Sequence, residues 1–336
     1  MKVFILTVRL FDNYGGLLQN YALQRVLLNL GHNPITIDYV NIKVPEKWKI
    51  FLSWVKTFFY IICGKPKSFF KLSSICRRPV FAECFVNKYI YKTKKCYNID
   101  ASFLKKNEIT AVIVGSDQVW RPKYNCKIDD MFLKFVKGDS IKKIAYAASF
   151  GVDEWEYTQK QTTECRELAK KFNAISVREK SGVNLCKEYL DVEASLVLDP
   201  TLLIEKNDYC DICKEIPVAT EKILVAYVLD CNDSVRELCE SIAKEHHFIL
   251  KFFSAGVNSD LTVPEWLAMF RDASYVVTDS FHGTVFSIIF EKGFKCIYNK
   301  ERGAARFESL LNLYNSGKLE KMRKFSINWL KDALES

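Results

Sequence analysis

Three ionisable residues sit in short polar loops, each directly after an apolar run: His282, Arg178 and Asp117. His282 belongs to DSFHG (Asp279 to Gly283), between the runs YVVT and TVFSIIF. Imidazole exchanges protons near neutral pH, so a histidine there can act as a general acid or base. Ser280 is placed to cap the helix that follows. Gly283 leaves first-turn N–H groups open to an anion, with Phe281 and Thr284 on either side. Arg178, in SVRE, adds a cation whose planar fork suits carboxylate or phosphate. Asp117 and Trp120 lie in GSDQVW, and Asn13, Tyr14, Gly15 and Gly16 in DNYGG, where the paired glycines let a ligand approach the backbone. Each has a plainer alternative. His282 can be a turn residue satisfied by hydrogen bonds, and Arg178 half of an ion pair with Glu179. Asp117 can close an Asx turn, and Trp120 can close the core.

These loops act together only if the surrounding elements bring them together. VFILTV reads as a buried strand, and DNYGG as the turn after it. LLQNYALQRVLLNLG reads as a helix, with Leu23, Val26, Leu27 and Leu30 on one face and Gly31 as its stop. ITIDYV then reads as a second strand, completing a β-α-β unit of a parallel sheet. AVIVGSD, KKIAYAASFG, NAISVRE and ASLVLDP continue the pattern after an insertion. KILVAYVLD, HFILKFF, YVVTDS and FKCIYN form a second series, with helices between them at Asp233 to Glu245, PEWLAMF and GTVFSIIF. The expected architecture is α/β, with two Rossmann-like doubly wound domains in tandem. Residues 1–205 form the first, with a basic aromatic insertion at about 43–106. A linker covers 206–217, the second domain 218–300, and a helical segment 301–336. Ligands in open α/β sheets bind outside the carboxyl ends of the strands. DNYGG, GSDQVW, AASFG, SVRE, LDPT and DSFHG all fall at such ends. DNYGG lacks the GxGxxG spacing of a dinucleotide site.

The 336 residues are 49% hydrophobic and 26% charged, a globular composition long enough for two cores. MKVFILTV meets Arg9 and Asp12 too soon for a secretory signal, so the 12 cysteines are expected as reduced thiols in a cytoplasm. Cys210 and Cys213 form a lone CxxC without the second pair that a tetrahedral zinc site needs, and no metal is expected. The net charge of +9 suits anionic partners. No nucleic-acid motif accompanies it, and no nucleic-acid partner is expected. Much of the positive charge lies between Lys43 and Lys106. Within that stretch, residues 47–71 mix Trp48, Trp54 and Phe58 with lysines over a length too interrupted for the ~20 apolar residues of a membrane span. Either the segment packs its aromatic face on protein, or it lies on an anionic membrane surface.

NYGGLLQNYALQRVL, VGSDQVWRP, AASFG, ISVREKSG, LDPT and DSFHGTVFSIIF, in this order, resemble the polysaccharide pyruvyl transferase family from the first strand to about Tyr298. The resemblance implies two Rossmann-like domains facing across a cleft, as in GT-B glycosyltransferases. It also implies transfer of the pyruvyl group of phosphoenolpyruvate to two hydroxyls of a sugar, forming a cyclic ketal. Phosphoenolpyruvate is then the donor substrate, and no cofactor is required. By the same resemblance His282 and Arg178 carry catalysis or donor binding. Ser280, Phe281, Gly283, Thr284, Arg302 and Arg306 are expected around the donor. Asn13, Tyr14, Gly15, Gly16, Asp117 and Trp120 are expected around the acceptor sugar. The insertion lies outside these motifs, and would suit an acceptor still attached to a lipid carrier. Two rival readings are a GT-B-type nucleotide-sugar glycosyltransferase and a catalytically silent glycan-pathway binding protein.

Overall fold

The computed structural model of the chain describes residues 1–41, 52, 54–58, 77–253, 261–297 and 303–336. The first sheet contains β1 (Lys2–Leu6), β2 (Asn33–Thr36), β3 (Ala111–Val114), β4 (Lys142–Ala148), β5 (Ala174–Val177) and β6 (Ser195–Leu196). All pair in parallel, in the order β2-β1-β3-β4-β5-β6. The second contains β7 (Ile223–Tyr227), β8 (Ile249–Phe253), β9 (Ala273–Thr278) and β10 (Gly293–Cys296), parallel in the order β10-β9-β7-β8. In each sheet the strand order reverses beside the first strand, between β1 and β3 and again between β7 and β9. Those reversals are the switch points at which ligands bind in doubly wound folds. The loops leaving β1, β3 and β9 are DNYGG, GSDQVW and DSFHG.

Eleven helices have described ends. In the first half they are α1 (Tyr14–Asn29), α2 (Val80–Tyr89), α3 (Ala101–Lys106), α4 (Gln159–Ala169), α5 (Lys180–Leu185) and α6 (Lys206–Ile212). In the second they are α7 (Asp233–Glu245), α8 (Val263–Asp272), α9 (Phe281–Ile289), α10 (Ala305–Asn315) and α11 (Leu319–Glu335). Asn13 starts α1 by accepting a hydrogen bond from Gly16 N at 3.1 Å, and Gly31 ends it at φ +79°, a conformation that favours glycine. Thirteen of the sixteen α1 residues are buried, so α1 is an internal helix covered on both sides and not a surface one.

Strand alternation sends Val3 and Ile5 to one face of the first sheet and Phe4 and Leu6 to the other. The Val3 face joins Tyr14 and Leu17 of α1 to Trp266, Phe286 and Val225 of the second half in one continuous apolar cluster. A second cluster, with Trp120 and Phe132, covers the Phe4 face, and a smaller one lies behind the second sheet. The chain then returns to its start. α11 lies against the first sheet, where Lys142 Nζ donates to Leu334 O at 2.6 Å and Leu198 N donates to Ser326 Oγ at 2.9 Å.

Three local expectations need correction. The ladder of β2 covers Asn33–Thr36, with Thr36 also bridging Lys92, and beyond it ITIDYV makes a single bridge, Tyr39 to Cys96. β6 is two residues long; Val197 N still donates to Val177 O at 2.9 Å, but Leu198 N turns to Ser326 Oγ of α11. Residues 206–217, expected as a linker, hold α6, whose Tyr209 is fully buried against Phe286 with ring centroids 4.9 Å apart. The connection between the sheets is therefore packed. Most of the 47–71 segment lies outside the described residues; within it Leu52, Trp54, Val55 and Phe58 are exposed. Among the described residues no helix is long and apolar enough to cross a membrane.

Candidate active site

The two switch points face each other across a cleft of about 290 Å³. Asp12, Asn13, Asp117, Gln118 and Arg178 line it from loops of the first sheet. Ser280, Phe281 and His282 line it from the start of α9, together with Tyr227, Leu229 and Asp279, and Arg306 enters from α10. The Asp279 carboxylate accepts from Leu229 N at 2.7 Å and Asp230 N at 2.8 Å, tying the loop after β9 to the loop after β7.

His282 occupies the first turn of α9, capped by Ser280 Oγ, which accepts from Gly283 N at 3.3 Å. Its ring packs directly on the DNYGG loop. A Cβ added at Gly15 would lie 2.0 Å from His282 Nδ1 and 2.2 Å from its Cγ. Position 15 must therefore be glycine for the imidazole to sit where it does, and DNYGG and DSFHG are two sides of one site. Gly283 serves packing: a Cβ there would fall 2.2 Å from Thr278 Oγ1 and 2.9 Å from a Tyr227 ring carbon.

Arg178 lies under the cleft with its side chain only 1% exposed. Its Nη2 donates to Asp117 Oδ1 at 2.9 Å and its Nη1 to Asp199 Oδ2 at 2.7 Å. Its guanidinium stacks 4.7 Å over the Phe281 ring. Asp117 takes a left-handed φ of +69°, which aspartate tolerates better than most residues. It also accepts from Asn13 Nδ2 at 3.3 Å. Gln19 of α1 braces this floor, accepting from Ser116 N at 3.1 Å and donating to Thr7 Oγ1 at 2.9 Å.

Asp199, from LDPT, belongs to the site, and sequence reasoning did not single it out. Its Oδ1 accepts from Thr201 N (3.0 Å) and Thr201 Oγ1 (2.7 Å), and its Oδ2 from Ser116 Oγ at 3.1 Å as well as from Arg178. His282 Nε2 lies 3.8 Å from the same Oδ2, an ion-pair distance too long for a hydrogen bond. The signal was a carboxylate at a strand end, masked because an Asp before Pro-Thr already explains itself as the cap of a turn.

Burial works to raise both carboxyls. For Asp199, His282 and then Arg178 overcome it and hold the group well below the usual carboxylate range. For Asp117, Arg178 and then His282 also win, and the shift is again downward. Glu179 goes the other way: burial pushes it up, although Arg178 and the Phe150 amide favour its charge. Burial, reinforced by the like charge of Arg178, pushes the Arg306 guanidinium down to about 10. It remains cationic at neutral pH, in surroundings that a bound anion would relieve.

Several expected roles change in this geometry. Trp120 is fully buried, stacked on Phe132 at 4.7 Å with Nε1 donating to Met131 O at 3.0 Å. It closes the core and offers no face to an acceptor sugar. Tyr14 is also fully buried. Its hydroxyl donates to Leu261 O and its ring stacks on Trp266 at 5.5 Å, so it pins the two halves together and binds no sugar. Thr284 is buried inside α9, where its hydroxyl donates to Ser280 O. Gly16 spends its N–H on the Asn13 cap. Arg178 was expected to present its fork to a donor anion, but both Nη groups are taken by Asp117 and Asp199. Arg302 lies outside the described residues. His282, Ser280, Phe281, Arg306, Asn13 and Asp117 do line one cleft, with no separation between the expected donor and acceptor sets.

Two parallel-sheet Rossmann-like halves with opposed switch points define a GT-B-like α/β architecture. Two solved structures share it: UDP-GlcNAc 2-epimerase from Neisseria meningitidis bound to UDP-GlcNAc, and the S. aureus MnaA–UDP co-structure. The first has 8% identity and a TM-score of 0.51, covering 100% of this chain and 98% of that one. The second has 10% identity and a TM-score of 0.51, covering 97% and 91%. At such identities the likeness concerns fold alone. No curated protein sequence matches the chain. A family model matches residues 13–301, and the chain belongs to the polysaccharide pyruvyl transferase family.

Proposed function

We propose that the protein transfers the pyruvyl group of phosphoenolpyruvate to two hydroxyls of one sugar, in a polysaccharide or a lipid-linked glycan precursor, forming a cyclic ketal. The observation that carries this reading is the meeting of His282 with Arg306 and the start of α9 in one cleft, on a chain of this family. Phosphoenolpyruvate brings a phosphate and a carboxylate. Arg306 and the N–H groups of Phe281 and His282 at the start of α9 are the groups suited to them, since the Gly283 and Thr284 N–H groups already bond to Ser280. The enol methylene carbon takes a proton, which makes the neighbouring carbon electrophilic. One sugar hydroxyl adds there and gives up its proton, phosphate leaves, and the second hydroxyl closes the ring. Of the two hydroxyl protons, one ends on the new methyl group and the other leaves with phosphate. His282 is the group that accepts and returns such a proton.

Donor binding across both halves stabilises the folded state by mass action. Phosphoenolpyruvate at a hundredfold excess over its dissociation constant should add about 2.7 kcal/mol. A thermal-shift series with phosphoenolpyruvate and with nucleotide sugars reads this out. Protection by nucleotide sugars alone would move the reading to a glycosyltransferase.

A cytoplasmic protein acting on a lipid-linked acceptor would work at the membrane surface. The exposed Leu52, Trp54, Val55 and Phe58 beside the lysines of 47–71 fit that location. Co-sedimentation with liposomes should rise with anionic lipid and weaken with salt. Equal sedimentation after Trp48, Trp54 and Phe58 are replaced by serine would remove the membrane contact from the account.

A further inference from the structure

Asp199 has no part in the reaction as written above, and it does not line the cleft. We propose that it is the positioning residue for His282, fixing the ring proton on Nε2 and leaving Nδ1 as the nitrogen that exchanges protons. This rests on the reading of His282 as the proton-exchanging group.

The argument is geometric. The Asp199 side chain is 0% exposed and held by four hydrogen bonds, two from Thr201 to Oδ1 and one each from Ser116 and Arg178 to Oδ2. It cannot swing to follow a ligand. His282 Nε2 is buried with no hydrogen-bond partner among the described residues, and Asp199 Oδ2 lies 3.8 Å from it. A proton on Nε2 faces a carboxylate there; a lone pair on Nε2 would face the same negative oxygen and be repelled. The other nitrogen, Nδ1, lies against Gly15 at the head of α1, where the ring fills the place a side chain would take; with Nε2 buried, Nδ1 is the nitrogen left to the cleft that His282 lines. A carboxylate that orders an imidazole in this way selects its tautomer and orientation without touching substrate.

The pair also spans the two halves, since Asp199 follows β6 and His282 begins α9. The gap exceeds a charge-assisted hydrogen bond by roughly 1 Å. Catalytic hydrogen bonds of this kind are often long in the free enzyme and tighten when substrate is bound. A small approach of α9 towards LDPT closes it.

The chain has four histidines, so histidine-selective ¹⁵N labelling gives a spectrum simple enough to assign, with His282→Gln identifying the signal. Long-range ¹H–¹⁵N correlation, at a pH where the ring is neutral, reads which nitrogen carries the proton. The expected result is Nε2–H in the wild-type protein, with that preference lost in Asp199→Asn. Turnover of Asp199→Asn should fall roughly 10²- to 10⁴-fold while phosphoenolpyruvate affinity stays near wild type. Nδ1–H in the wild type overturns the proposal, and so does an unchanged tautomer or turnover in Asp199→Asn. The wild-type spectrum decides the matter even if the variant fails to fold. The spectrum needs no catalysis, so a protein with Nε2–H that transfers no pyruvyl group would count against the proposed reaction and not against this assignment.

Discussion

His282→Gln is expected to fold and melt close to the wild-type protein while turning over roughly a hundredfold more slowly or worse. Glutamine fills similar space and keeps hydrogen-bonding atoms, but it cannot pick up and return a proton. The imidazole is buried, its side chain only 9% exposed, with the ring on Gly15 and edge-on to Phe281 at 5.3 Å. Its hydrogen bonds do not hold the turn, because Ser280 caps α9 and Asp279 secures the loop after β7. A structural histidine would show the reverse pattern, lost stability with turnover kept. Melting temperature and phosphate release, measured on the same preparation, separate the two. Near-normal turnover in a well-folded variant returns His282 to the role of a turn residue.

Arg178→Met should have the largest effect on stability, a loss of about 3–5 kcal/mol at neutral pH. Methionine keeps much of the length of the side chain and its packing on Phe281, but it leaves the buried carboxylates Asp117 and Asp199 without the guanidinium that bridges them. The pH dependence gives the sign. Both carboxyls are depressed in the folded wild type. Their contribution is therefore present above the unfolded aspartate value of about 3.9 and lost as pH falls through the folded values. In the variant the guanidinium no longer helps to offset burial, so the carboxyls shift upward, Asp117 foremost because Arg178 is its main counter-charge, and protonation relieves the repulsion. Unfolding free energies of the two proteins should then converge as pH is lowered. A gap that stays constant or widens in acid would mean that Arg178 acts through packing and not through its charge.

Much of the framework was legible because its signals are local. Unbroken apolar runs such as AVIV mark strands buried on both faces, Gly31 marks a helix end, and Ser280 marks a helix start. The strand-end loops could be gathered into one candidate site because parallel sheets put ligands at that edge. Assignments within the site failed where the deciding contact is distant in sequence. Tyr14 reads as a sugar platform until Leu261 and Trp266 arrive from the other half. Trp120 reads equally as a sugar contact or a core residue until Phe132 stacks on it. Arg178 reads as a donor-binding cation or a partner of Glu179, because nothing nearby in the chain announces that Asp117 and Asp199 will use both ends of its fork. Gly15 shows why the contact with His282 escaped notice: the signal is an absent side chain, and it acquires meaning only from a ring 267 positions later.

The central claim is pyruvyl transfer at the cleft where His282, Arg306 and the DNYGG loop meet. Incubating the purified protein with phosphoenolpyruvate and a panel of free, polymeric and lipid-linked sugar acceptors tests it most directly, with phosphate release and ketal formation scored in the same reactions. The expected result is acceptor-dependent phosphate release matched one for one by pyruvate ketal on the acceptor, with both signals lost together in His282→Gln. Phosphate release without ketal, or ketal formation undiminished in His282→Gln, would contradict the account.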